Sequence, residues 1–334
     1  MIFQTKRLFV RKAETSDLEM YLSLWNNGKV MRNVGFPKGL GISAEKIRKK
    51  IAGFDETEFD QTLVVVEKES GERIGECKLG LPSDHLIAST DIKLLPESWG
   101  KGYGKELKNA LCQYLFCHTG TKVIEASPNI ENIASQKMQI ACGGKEISRE
   151  VYHFPPEMQH FTKDVHSIIY HIYKKDWLEI NMRIEKIADK AERSRICKLI
   201  IESLPDWFGI ESANHEYIEK SADTEFYAAY MFEKEVGFFS IISHFPQTSE
   251  IYVCGVLPDF QRLGIGKELL HVAEEDLRKQ KKKFLTVKTL SSAHPDKNYA
   301  CTREFYKDCG FVPVEEFKDL WGEANPCLFL VKAL

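Results

Sequence analysis

Three short apolar blocks, 226–232, 236–243 and 250–257, follow one another closely in the second half of the chain and predict three successive strands. From residue 266 the period changes. Leu269, Leu270, Ala273 and Leu277 fall on one face at helical spacing, with Glu274, Glu275, Arg278 and Lys279 off it, which predicts an amphipathic helix over 266–279. Another strand follows over 284–288, and another helix over 298–309. Around residue 179 one strand pattern (165–173) gives way to another (182–187).

The same order of elements occurs twice. LPESWGKGYGKEL (95–107) and LPDFQRLGIGKEL (257–269) agree at seven of thirteen positions, including both loop glycines, and Glu97 matches Asp259 in charge. Downstream, Asn132, Ala134 and Gly144 match Asn298, Ala300 and Gly310. A period this long is no solenoid; it means two tandem copies of one domain. The expected division is 1–178 and 181–334. Each copy reads as strand, one or two helices, three strands, helix, strand, helix and two final strands. That order implies an α/β (α+β) fold with a mixed, mostly antiparallel sheet flanked by helices.

Composition narrows the function classes without choosing one. The chain is 43% hydrophobic and 28% charged, with net charge -3 and pI near 6.4, as expected of a globular protein rather than a nucleic-acid binder. Its one dense basic run, around 279–283, falls where a helix should end, a place that favours cations anyway. The nine cysteines include no C-x-x-C pair, so no zinc site or disulfide framework is expected and a reducing cytoplasm is. The amino terminus does not read as a signal peptide. No apolar run approaches the roughly 20 residues of a membrane span.

The glycine loop at 261–266 joins a strand to a helix. It is neither a Walker loop, since Glu268 follows Lys267, nor a dinucleotide fingerprint, since Leu269 stands where the third glycine belongs. What remains is Q-x-x-G-x-G at a helix amino terminus, whose backbone amides suit a pyrophosphate. With the preceding EIYVCGVLP, this segment resembles motif A of the GNAT acetyltransferases, and NYACTREFYKDCGF (298–311) resembles their motif B. Through the repeat, the resemblance extends to the first copy.

The resemblance implies acetyl-CoA as cofactor and a small-molecule or peptide amine as acceptor. The amides of Arg262, Leu263, Gly264, Ile265 and Gly266 would bind the pyrophosphate, with Gln261 and Lys267 flanking them at the cofactor. Gly255, Val256 and Leu257 would pair with the pantetheine arm, Gly255 marking a bulge or a close backbone approach. Asn298 would touch the cofactor or cap its helix. Direct transfer also asks for a proton acceptor and a proton donor, and Glu250 and Tyr306 stand at the positions of the family's general base and general acid. Trp207, Phe208 and Trp321 would wall the acceptor site.

The first copy keeps Gly102, Gly104 and Asn132 for the cofactor. By the repeat, however, it has Ala88 for Glu250, Ile140 for Tyr306 and Trp99 for Gln261. Asp91, its remaining strand carboxylate, lies on the opposite face from residue 88. Its loop and NIENIASQKM resemble the branch acting on ribosomal-protein amino termini. Three functions follow: an acetyltransferase working through its second domain; a non-catalytic CoA-binding scaffold; or catalysis by the first domain on a protein amino terminus, with the second regulatory. No metal, nucleic acid or membrane partner is expected, and the chain would be a monomer or homodimer.

Overall fold

The computed structural model describes residues 1–334, which divide into two compact units, Met1–Ile180 and Asn181–Leu334. In the first, β1 (Phe3–Gln4) and β2 (Leu8–Lys12) lead into α1 (Leu18–Trp25), α2 (Gly28–Met31) and α3 (Ala44–Ala52). β3 (Thr62–Glu67), β4 (Arg73–Leu79) and β5 (Ile87–Leu94) run back and forth, and α4 (Tyr103–His118) crosses to β6 (Val123–Ala126). α5 (Ile133–Ala141), β7 (Gly144–Tyr152), β8 (Val165–Tyr173) and α6 (Lys174–Asn181) complete it. The sheet order is β1-β2-β3-β4-β5-β6-β8-β7, antiparallel except for β5 with β6, the pair joined by the α4 crossover.

The second unit repeats this plan. β9 (Met182–Lys186), α7 (Lys190–Glu202) and α8 (Glu211–Ser221) precede β10 (Glu225–Met231), β11 (Lys234–Phe245) and β12 (Thr248–Val256). Then come α9 (Ile265–Lys279), β13 (Phe284–Leu290), α10 (Lys297–Asp308), β14 (Val312–Phe317) and β15 (Cys327–Ala333). Its sheet order is β14-β15-β13-β12-β11-β10-β9, with β12 and β13 the parallel pair.

Helices cover both faces of this second sheet. Ser221, at the end of α8, reaches Ser240 of β11 at 3.4 Å, so even-numbered residues of β11 face α7 and α8. On the other face, Tyr227, paired with Phe239, donates to Asp276 of α9 at 3.1 Å. The buried stripe of α9 includes Leu269, Leu270, Ala273 and Leu277, as its period predicts, and also Glu274, which the sequence set outside it. Glu274 is tolerated in the core because Lys332 of β15 and Arg278 pair with it. The 174–181 segment, read as a join between strands, is the helix α6. Trp177 anchors it, fully buried with its indole N–H donating to Asn109 at 3.0 Å.

One irregularity decides where side chains point. Ser240 pairs with Val253 but Ile241 pairs with Ile251, so Tyr252 is an extra residue in β12, a β-bulge. β5 has no such insertion: Gly75 to Leu79 pair one-for-one with Leu94 to Thr90.

Candidate functional site

The loop before α9 is strained toward a concave shape. Gly264 has φ 104°, a conformation that favours glycine, and Arg262 has φ 60°. The first amide bonds of α9 come from Lys267 and Glu268, both to the Gly264 carbonyl, so the amides ahead of them point out of the helix end. A helix end of this kind, with its dipole, is a place that favours an anion. The side chains of Leu257, Leu263 and Ile265 are buried, leaving their backbone to do any binding. Gly266 serves packing: a Cβ there would lie 3.1 Å from the Phe305 ring of α10. Lys267 faces Asp308 at 3.7 Å.

Beyond the loop the sheet opens. β12 and β13 pair only from Thr248↔Phe284 to Ile251↔Val287 and then part. Past that point β12 is no longer paired with β13 along that edge. Gly255 lies along this edge, and it is not the bulge. A Cβ there would come 2.8 Å from Leu204 Cδ1 and 3.0 Å from Ile200 Cγ2, so glycine lets these side chains pack closely on β12.

Groups that hold protons flank the parting on opposite faces. Cys254 pairs with Phe239 and so faces the α9 side, where its Sγ lies 3.3 Å from the Tyr306 hydroxyl. Burial holds the Tyr306 phenol well above its ordinary range and pushes the Cys254 thiol up to about 11. Both therefore keep their protons at neutral pH. Glu250 pairs with Ile242 and faces the α7–α8 side. Its carboxylate is held by Lys288 at 2.6 and 2.8 Å and by His244 Nε2 at 2.8 Å. Tyr252, the first residue past the parting, has a buried hydroxyl with no hydrogen-bond partner.

Glu250, Lys288 and His244, with Thr248 and Thr286, form the polar part of an open cleft of about 350 Å³, whose apolar walls are Phe245, Phe317 and Phe329. Of these, the sequence singled out only Glu250. Strand alternation from Glu250's partner Thr286 to Lys288 was the available signal, since the two share a face. The three aromatics expected to wall the acceptor site, Trp207, Phe208 and Trp321, do not line this cleft. Trp207 is pinned on α10, its indole donating to Thr302 at 3.3 Å and its carbonyl accepting from Tyr299 at 2.9 Å. Phe208 packs edge-on against Tyr217, and Trp321 is exposed.

Other assignments change as well. The cap of α10 is Asp296, which accepts from the amides of Asn298 and Tyr299, so Asn298 is not the cap. Asn132 does cap α5, accepting from Ser135. Gln261 spends its amide inside the loop, donating to the Val256 carbonyl at 3.0 Å. Trp99 makes the same bond in the first unit, from its indole to the Leu94 carbonyl at 2.8 Å. The exchange thus preserves the loop rather than altering a ligand.

Both catalytic correspondences inferred from the repeat shift by one residue. Glu250 pairs with Thr286, and Ser89 pairs with Glu125 at the same rung of the first sheet, so Ser89 and not Ala88 is the counterpart of Glu250. The bulge at Tyr252 is the reason. Asp91 therefore shares a face with Glu250's counterpart. On the helix, Gly143 and Gly310 both have φ 86°, and Met138 approaches Gly104 as Phe305 approaches Gly266. This makes Gln139, not Ile140, the counterpart of Tyr306. Gln139 is buried, and its side-chain Oε1 has no partner; Gly102 keeps a positive φ of 82°.

Family models described as "Acetyltransferase (GNAT) domain" match residues 7–145 and 222–313, together more than half of the chain. An uncharacterized N-acetyltransferase p20 from Bacillus licheniformis is 25% identical over 138 residues, 40% of this chain and 76% of that protein. Among solved structures, a GNAT-family acetyltransferase from Bacillus anthracis is 19% identical over 52% of this chain and 99% of its own, with TM-score 0.45. Spermidine N-acetyltransferase from Vibrio cholerae, in complex with CoA and spermine, is 22% identical over 52% of this chain and 98% of its own, with TM-score 0.43. No helix of the chain is long and apolar enough to cross a membrane.

Proposed function

The chain belongs to the GNAT acetyltransferases, N-acetyltransferases that use acetyl-CoA, and from that premise we propose that its second unit acetylates a primary amine by direct attack, with Glu250 as proton acceptor and Tyr306 as proton donor. Bound acetyl-CoA supplies a thioester carbonyl to be attacked and a thiol to be released. The residues present fit it. The amides of 262–266 and the Gly264 turn suit its pyrophosphate, and the free edge of β12 from Tyr252 to Val256 suits its pantetheine arm.

The observation that carries the reading is the parting of β12 from β13, with the Tyr306 hydroxyl on one face and Glu250 on the other. An acceptor entering from the α7–α8 side meets Glu250 Oε2, which takes a proton from the ammonium, with His244 hydrogen-bonded to the same oxygen. Tyr306 Oη holds a proton on the far side. Four residues of strand separate Glu250 from Cys254, a span of about 13 Å at most. Water therefore relays the proton to Glu250.

The test is acetyl transfer by the full-length Glu250→Gln chain. A loss of about 10²-fold or more in kcat/KM with CoA affinity unchanged is expected for a lost proton acceptor; wild-type turnover would remove Glu250 from the chemistry. A second reading gives the chemistry to the first unit, and Asp91, on the face of Ser89, favours it. Its signature is the reverse pattern, in which Asp91→Asn loses activity that Glu250→Gln keeps.

A further inference from the structure

The cleft beside Glu250 carries one more charge than proton removal requires. Taking a proton from an amine asks for a single acceptor, yet Lys288 grips both oxygens of Glu250, at 2.6 and 2.8 Å, in the same cleft. A plain amine entering here finds a carboxylate whose field Lys288 largely offsets, and its own charge is repelled by that ammonium. For a polyamine the repulsion is multiplied. An acceptor with a carboxylate next to its amine meets the opposite situation. Its carboxylate lies against Lys288 and its ammonium faces Glu250 across the relaying water, so four charges alternate in sign.

The rest of the cleft agrees with such a guest. Lys288 is partly exposed and uses two contacts to Glu250, whereas an ammonium has three donors. The walls are three phenylalanines, Phe245, Phe317 and Phe329, which suit an apolar side chain and offer no further charge. About 350 Å³ is room for a single small molecule.

We propose that the acceptor of the second unit is an amino-acid-like zwitterion, a primary amine with a carboxylate on the adjacent carbon and an apolar, preferably aromatic, side chain, and that Lys288 sets this preference. The proposal rests on the reading that Glu250 faces the acceptor. The transfer balances: the ammonium gives one proton to Glu250, which passes it to solvent, and its nitrogen forms the C–N bond; as the C–S bond breaks the sulfur leaves as a thiol with the proton of Tyr306, and the second proton lost by the nitrogen returns through water to Tyr306.

The experiment compares L-phenylalanine, L-phenylalaninamide, 2-phenylethylamine, spermidine and a short peptide amino terminus as acceptors for the full-length chain, reading CoA release and acetylated product. The acid should exceed the amide and the amine by about tenfold or more in kcat/KM, because the analogues without a carboxylate bring Lys288 no second anion. Lys288→Met should bring that ratio toward one, the acid losing more in kcat/KM than the amide or the amine, while Lys288→Arg keeps it. A thermal melt matching that of the unsubstituted chain shows that the variant is folded.

A ratio unmoved by Lys288→Met, or a preference for spermidine or 2-phenylethylamine, overturns the proposal. If only the peptide is acetylated, the substrate class is wrong and amine transfer stands. If nothing is acetylated, both fall.

Discussion

At the scale of single residues, the site depends on which groups keep their protons. Burial raises the Tyr306 phenol and holds the Cys254 thiol near 11, so neither ionises around neutrality. With its pKa raised, Tyr306 stays a proton donor to higher pH than free tyrosine, whose reference value is about 10. The kcat of the full chain should therefore show no alkaline fall between about pH 8 and 10, and a fall with a midpoint near 9 would contradict this protonation state. Thiol reactivity gives an independent check. At pH 8 iodoacetamide should modify the exposed Cys301 and spare Cys254, which peptide mass mapping can read. Glu250 was legible in the sequence because it opens a strand leading to a glycine loop. Lys288 and His244 were not, because their meaning arises only when three strands align in register.

At the scale of elements, the sequence supplied nearly every strand and helix of the second unit, since their periods are strong. It misaligned the two copies where the backbone is irregular. One extra residue in β12 moves the counterpart of Glu250 from Ala88 to Ser89, and the helix ends move that of Tyr306 from Ile140 to Gln139. Identity of residues cannot register a bulge that leaves the flanking motifs intact. Trp99 shows the converse, a dissimilar residue with the same bond. Trp99→Gln should then cost less than about 0.5 kcal/mol in thermal melts, and Trp99→Ala more, because only the former keeps the donor to the Leu94 carbonyl. Gly255→Val should destabilise by about 1–3 kcal/mol, since its Cβ would come within 2.8 Å of Leu204 and push α7 off β12. A melt unchanged from wild type would show that the helix yields freely.

At the scale of the whole molecule, buried thiols and phenols set the response to alkali. Burial raises Cys112, Cys197, Cys254, Cys327, Tyr252 and Tyr306 above their ordinary values of 9.0 and 10.0. The folded chain thus keeps protons that the unfolded chain releases. Stability from these groups is complete below about pH 9 and declines as pH rises through the folded values. Lys108 and Lys174, lowered by burial, act in the other direction but are fewer. The urea midpoint should accordingly fall between pH 8 and 10.5. The tandem repeat was plain in the sequence, but which copy works could not be read there, because the residues that differ had been matched to the wrong partners. Acetyl transfer by full-length Tyr306→Phe and Gln139→Met, equivalent positions in the two units, is the most direct measurement. The account predicts a loss of about 10²-fold or more in kcat for Tyr306→Phe and none for Gln139→Met. Full activity in Tyr306→Phe together with loss in Gln139→Met would contradict it and move the chemistry to the first unit.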